Sequence, residues 1–264
     1  QISPSVRHDY YSDTDMKATT GRVGLNVKPF SKIVFHLRAN VGNNFRMPSF
    51  NDLYWNLAGN KNLNPEKSLN AEAGAFYGFK SFVDGNADFS FAYVEAEDKI
   101  MWIADFTGIW KPRNIAGSVS RVYSASLEFS FKISEGLKLA SETGASFNDV
   151  IKTTANYRND PTYNKKLFYI PDKTVKTSLR LIHSICELNI LFSHTGVRYA
   201  DMQNKTLLPV INLTDANAAV NFHLGSYLLT ARAEVNNIFN ADYQIMNGYP
   251  MPLRNYRIKL SINY

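Results

Sequence analysis

Long apolar runs are missing from these 264 residues. No stretch approaches the roughly 18 consecutive apolar residues of a spanning helix, and mean hydropathy is −0.26. That excludes a helical membrane span and nothing more, because a strand crossing a bilayer needs an apolar side chain only at every second position. Cysteine is nearly absent too. The single Cys186 allows no internal disulfide, so an oxidising compartment is neither required nor excluded. The start, Gln1 to Arg7, has no initiator methionine, basic segment or apolar signal core, and the chain is expected to be cut from something longer. Charge clustering is also lacking. The 29 basic residues against 23 acidic ones give a net charge of +6, but they are spread along the chain, which argues against nucleic acid as a partner. No helical stretch of note, domain linker or short-period repeat breaks the pattern.

Aromatics, by contrast, make up 13% of the chain, with 15 Tyr and 17 Phe. The last twelve residues, Leu253 to Tyr264, show how they are used. Tyr256, Ile258, Leu260, Ile262 and Tyr264 alternate with Arg257, Lys259, Ser261 and Asn263. Successive side chains of a strand point to opposite faces, so this segment has one oily and one wet face. Its aliphatic centre is bracketed by tyrosines, as in a strand whose apolar band ends in interfacial aromatics. A sandwich strand alternates in the same way.

The connections discriminate. Alternating segments recur at Val23–Val27, Ile33–Val41, Leu69–Phe82, Phe89–Tyr93, Leu127–Ile133, Leu137–Phe147, Val175–Leu181, Cys186–Phe192, Ala218–Phe222 and Leu229–Val235. Short turns fall near residues 30, 84 (an Asp84-Gly85 hairpin signal), 135, 184 and 225. Between them lie long connections at 42–66, 99–113, 148–173, 199–209 and 238–252, the first of them polar. An up-and-down membrane barrel sorts its connections by parity in this way; a sandwich has no reason to. The fold expected is all-β: an antiparallel up-and-down transmembrane barrel of about twelve strands, each near 9–11 residues, with both chain ends on the short-turn side.

Two segments are sharper than pattern. One is Asn44-Phe45-Arg46-Met47-Pro48-Ser49-Phe50-Asn51-Asp52-Leu53-Tyr54 with Gly59-Asn60, Leu63, Pro65-Glu66, Ser68 and Glu72. The other is Val235-Asn236-Asn237-Ile238-Phe239-Asn240, then Tyr243, Gly248-Tyr249-Pro250-Met251-Pro252 and Arg254. Together they resemble the C-terminal barrel region of TonB-dependent outer-membrane receptors, from about His8 onward, with Ile238 where that family usually has Leu. The resemblance implies a roughly 22-stranded barrel around a plug, of which residues 1–264 would be the C-terminal part, about twelve strands, without plug or energy-coupling box. It also implies active import of a scarce nutrient across the bacterial outer membrane, no enzymatic activity and no cofactor. The form of the motifs is most similar to cobalamin receptors, with siderophore and haem receptors as the alternative. TonB through the missing plug, outer-membrane lipids, a corrinoid or iron chelate and, as one option, a capping surface lipoprotein are the partners implied. Phe45, Arg46, Pro48, Asn60, Pro65, Glu66, Asn237, Phe239, Arg254 and Tyr264 carry the motifs and read as structural: prolines limit loop conformations, asparagines end strands, and Arg46 with Glu66 makes polar contacts at a loop base.

A contact surface for the nutrient is expected among aromatic and polar loop residues: Tyr54, Trp55, Asn56, Trp102, Phe106, Trp110, Tyr157, Tyr163, Tyr169 and Tyr249. For any one of the tyrosines and tryptophans among them, an interfacial girdle role is the simpler reading. Asp13 with Asp15, or Glu95 and Glu97 with Asp98, could hold calcium, though solvated surface charge is the simpler reading and no metal site is expected. Two competitors remain. A passive porin would not need the two motifs. A barrel phospholipase would need a His, Ser and Asn grouped at the rim; none of the five histidines has that context, and His194 reads as an exposed or lumenal residue.

Overall fold

The computed structural model describes residues 1–12, 16–56, 58–105 and 107–263, apart from the side chains of residues 16 and 116. In chain order the elements are β1 (Ile2–Tyr11), β2 (Met16–Val27), β3 (Val34–Arg46), α1 (Phe50–Tyr54), β4 (Glu66–Lys80), β5 (Asp84–Ala104), β6 (Trp110–Ser134), β7 (Leu137–Lys152), β8 (Lys173–His183), β9 (Cys186–Thr195), β10 (Arg198–Tyr199), β11 (Leu207–Leu208), β12 (Ile211–Leu224), β13 (Tyr227–Asn236), β14 (Gln244–Met246), β15 (Tyr249–Pro250) and β16 (Asn255–Asn263). Twelve of them make one antiparallel sheet in the order β1-β2-β3-β4-β5-β6-β7-β8-β9-β12-β13-β16. It is a meander that stays open, with β1 and β16 as its two edges. The pairs β10–β11 and β14–β15 are small ladders inside connections. Tyr264, Phe106, Asp13 and Asp15 lie outside the described residues.

Register extends the alternation of the last strand across the whole sheet. Leu260 pairs with Ala231 and Ile258 with Ala233; Ala231 pairs with Val220; Ala218 with Leu188; Leu188 with Leu181. The row continues through Leu181–Leu139 and Leu139–Phe131, then along β6 to Ala125 and through Ala125–Phe89, Phe89–Ala75, Ala75–Leu37 and Leu37–Val27. One face of the sheet is therefore continuously apolar, and it is bare: Ile258 is 81% and Leu260 77% exposed. A face of this extent has to be covered by lipid or protein. The opposite face is polar and internally paired. The Arg38 guanidinium reaches from β3 over β4 to Asp88 on β5, with Nη2 2.7 Å from Oδ1, while Nε lies 3.9 Å from Glu72. Gly74 lets it pass, since a Cβ there would sit 2.8 Å from Arg38 Cζ.

The short connections, 28–33, 81–83, 135–136, 184–185 and 225–226, all lie at one end of the sheet, and both chain termini lie there as well, Ile2 opposite Leu25 and Asn263 opposite Leu228. Several expected boundaries move. Residues 99–113 are not a long loop: β5 and β6 run 21 and 25 residues, beyond the expected 9–11, and stay paired out to Ala104–Trp110, so only 105–109 connects them. Continued pairing satisfies backbone groups that a loop would leave open. Asp84-Gly85 opens β5 instead of forming the turn at 81–83, and glycine is needed there for close approach, because a Cβ would lie 2.3 Å from the Glu128 carbonyl oxygen. Helix is confined, among the described residues, to the five-residue α1, capped by Ser49. His194 is neither lumenal nor exposed: it shares the apolar face with Phe192 and Leu188, is half-buried, and its Nδ1 is 2.7 Å from Asn212 Oδ1.

Candidate functional site

At the far end of the sheet the connections 47–65, 105–109, 153–172, 196–210 and 237–254 gather into two clusters that meet at Trp110. The first is organised by Asp52. Ser49 caps α1, and its N–H and Oγ donate to Asp52 Oδ2 at 2.9 and 2.7 Å, a reciprocal capping box. Asp52 is 5% exposed, and it also accepts the Trp102 indole N–H at 2.9 Å and faces Arg46 Nη1 at 3.8 Å. Burial alone would raise its pKa. The Ser49 hydroxyl and N–H, the Trp102 N–H and the Arg46 charge together outweigh that and hold the carboxyl below its usual range.

Arg46 is simultaneously bidentate on Glu66, with Nε–Oε2 at 2.9 Å, and Glu66 accepts the Ile100 N–H at 2.6 Å. Asn60 reaches the Pro112 carbonyl at 3.3 Å, and Asn114 donates to the carbonyls of Asn64 and Asp98. Segment 47–65 is thus stitched onto the β5–β6 arm through the residues of the first sequence motif. Arg46, Asn60 and Glu66 build the scaffold, with Pro48 and Leu63 buried beneath it. The consequence is an open concavity of about 720 Å³ lined by Asn51, Trp55, Asn56, Trp102, Ile109 and Trp110 among others. All three tryptophans of the chain border it.

The second cluster has its own core, Ile115, Val150 and Leu167, with Met101, Ile103, Ile170 and Met202 packed on it. Beside it Lys152 Nζ donates to Asp160 Oδ2 and Thr162 Oγ1, each at 2.7 Å, with both charged side chains 1% exposed. Asp160 also accepts the N–H groups of Asn156 and Thr162 at 2.9 Å. Burial would raise this carboxyl, and the ring of donors drives it far below the usual range instead. Tyr169, at φ +59°, ties three segments: its N–H donates to the Tyr199 carbonyl, its hydroxyl accepts the Asn247 N–H, and its ring lies 6.3 Å from that of Trp110. Arg198 is 3% exposed and bonds the backbone carbonyls of Pro209, Gln244 and Ile245; burial lowers its pKa.

Of the expected contact residues, Trp55, Asn56, Trp102 and Trp110 come together. Tyr169 stands behind Trp110 as a brace. The remaining tyrosines lie elsewhere: Tyr54 packs on Phe50 with Lys61 Nζ 5.4 Å from its ring, and Tyr157, Tyr163 and Tyr249 are exposed and line neither concavity beside Trp110. Asn237 and Asn240 adopt positive φ as strand-end residues, and Arg254 braces the last connection by donating from its N–H to Asn240 Oδ1 and from its guanidinium to the Ile238 carbonyl. Phe239 is 78% exposed. No cluster able to hold a metal ion occurs among the described residues. Lys152, Asp160 and Arg198 were not singled out in the sequence, and Asp52 entered only as a member of the first motif. Ser49-x-x-Asp52 carried a capping signal, whereas nothing local marks Arg198, whose partners lie up to 47 residues away.

Residues 1–238 match the family described as TonB dependent receptor-like, beta-barrel. The chain belongs to that family. Its barrels are outer-membrane receptors, so the apolar face of the sheet is lipid-facing and the polar face lumenal. Among sequence relatives, the vitamin B12 transporter BtuB of Photobacterium profundum is 25% identical over 260 residues, covering 97% of this chain and 39% of its own length. That of Vibrio vulnificus YJ016 is 27% identical over 229 residues, 86% of this chain and 34% of its own. The ferric enterobactin receptor PfeA of Pseudomonas aeruginosa superposes with a TM-score of 0.70 at 16% identity, over 98% of this chain and 42% of that one. The copper transporter OprC superposes at 0.66 and 16% identity, over 93% and 40%. At such identities these structures speak for the fold. The chain spans between 34% and 42% of the length of these relatives.

Proposed function

We propose that residues 1–264 are the C-terminal portion of an outer-membrane receptor that imports a corrinoid, cobalamin or a close relative, with energy delivered through TonB. Plug, energy-coupling segment and remaining strands lie in the rest of that receptor. The observation that carries the ligand is the sequence likeness to vitamin B12 transporters over nearly the whole chain. The site agrees with it in kind. Three indole faces with two asparagine side chains suit a broad, flat molecule carrying amide groups at its edge, and neither asparagine side chain is committed to a described protein group. The Arg46–Glu66–Asp52 scaffold holds this surface in place, so ordering it costs little on binding.

Calorimetry on the full-length receptor in detergent tests the reading. Cyanocobalamin is expected to bind with measurable heat and to quench tryptophan fluorescence, while haem and a ferric siderophore give neither. Heat with haem or the siderophore and none with cyanocobalamin would transfer the receptor to the iron-chelate class, the second reading of its motifs.

A further inference from the structure

Trp110 borders a concavity on each side. The second, of about 420 Å³, lies where the β5–β6 arm meets segment 196–210. Its apolar wall is Ile103, Trp110, Phe168 and Met202, and its polar lining includes Gln203 and Lys205.

The loop that presents these two polar residues is fixed before any ligand arrives. Asp201 accepts the N–H groups of Gln203, Lys205 and Thr206, the last at 2.6 Å. Asn204, at φ +58°, exchanges two 2.8 Å bonds with the backbone of Lys166, one given and one received. The one carboxylate in this lining is therefore consumed by the loop's own backbone. The amide of Gln203 and the ammonium of Lys205 are not, since neither side chain engages a described group. Lys165 and Lys166 are exposed on the neighbouring segment and add positive charge. A preformed apolar wall with an uncommitted ammonium and amide favours an organic group that carries an anion, because a lysine's hydrogen bond is strongest when donor and acceptor are both charged.

We propose that this concavity is a second ligand subsite, holding an anionic side group of the imported nutrient while its flat body lies across Trp110 against Trp55 and Trp102. The proposal rests on the import reading above and adds the recognition of charge. A phosphate or a carboxylate would serve equally, and corrinoids allow the two parts to be separated: cyanocobalamin carries a phosphodiester, and dicyanocobinamide has the same ring without it.

The test is titration of the full-length receptor and its variants with both probes. Wild type is expected to bind cyanocobalamin more tightly than dicyanocobinamide. Lys205→Glu should weaken cyanocobalamin by about tenfold or more, the scale of one charge-assisted hydrogen bond, and change dicyanocobinamide by less than about twofold. Lys205→Gln, which keeps a polar side chain on the loop, should lose less in the same direction. Unchanged cyanocobalamin affinity in Lys205→Glu overturns the subsite and leaves corrinoid import standing; so does an equal loss for both probes, which marks a general effect on the loops. If wild type binds neither corrinoid, the import reading fails separately. Haem, with its two propionates, then decides the subsite on the same variants: a loss of about tenfold in Lys205→Glu sustains it, and none overturns it.

Discussion

Trp102 donates its indole N–H to Asp52 Oδ1 at 2.9 Å, and this bond locks the β5–β6 arm onto α1. Replacing Trp102 by Phe keeps an aromatic wall but leaves a buried carboxylate one donor short, a cost of about 1–3 kcal/mol. Hydrogen exchange at the amides of Leu53 and Trp55, which are bonded within α1, should quicken in Trp102→Phe, with the β-ladders unchanged. Unaltered protection at those two amides would mean that the capping box alone holds the helix.

The two ion pairs Lys152–Asp160 and Arg121–Asp149 make a controlled comparison. The first is 1% exposed on both sides; in the second the side chains are 41% and 47% exposed, with the closest approach 3.1 Å. Lys152→Met strands a buried carboxylate and is expected to cost about 3–5 kcal/mol. Arg121→Met removes a solvated pair and should cost about 0–1 kcal/mol. Limited proteolysis of segment 153–172 is the readout: early cleavage in Lys152→Met and a wild-type pattern in Arg121→Met. Equal patterns would show that the buried pair is not what closes that segment.

The same carboxylates set the acid limit of the rim. Burial would push Asp52 and Asp160 upward, but their donors prevail, and both titrate below the ordinary carboxylate value of about 3.9. A depressed folded-state pKa adds stability that is complete above the unfolded value and drains away as pH falls through the folded one. Tryptophan fluorescence of the rim should therefore be flat from pH 7 down to about 4.5 and change only below about 4. A transition between about pH 5 and 6 would show that burial had won and the carboxyls were raised.

The strands were legible because alternation is a local signal: Tyr256 to Ile262 mark their face unaided, and register carries it across to Val27. The family was legible because Arg46, Asn60 and Glu66 must be those residue types to stitch a loop onto an arm. Long-range geometry was not. Pairing of Ala104 with Trp110 is decided by backbone continuation above the apolar band, where the side-chain pattern no longer alternates cleanly, so the arm read as a loop. Trp102 and Trp110 share a face of the β5–β6 ladder, and Trp55 joins them where Asp52 bonds Trp102 from 50 residues away, a relation that no window of sequence contains. Tyr54, at the end of α1, packs on Phe50 instead, and Tyr157 is exposed, so aromatic character alone did not mark the lining.

Leu260 and Lys259 are neighbours on β16 with opposite surroundings. Leu260 lies on the apolar face opposite Ala231; Lys259 lies on the polar face directly opposite Arg232. Leu260→Arg moves a charge into lipid and should cost about 2–4 kcal/mol near the midplane. Lys259→Gln removes one of two like charges facing each other across the ladder, where repulsion is unfavourable, so it should be neutral or slightly stabilising. Heat-modifiable gel mobility of the folded receptor, followed through urea titration, separates the two. A large loss for Lys259→Gln beside a small one for Leu260→Arg would invert the faces of the sheet, and with them the placement of the Arg38–Asp88 bridge in the lumen.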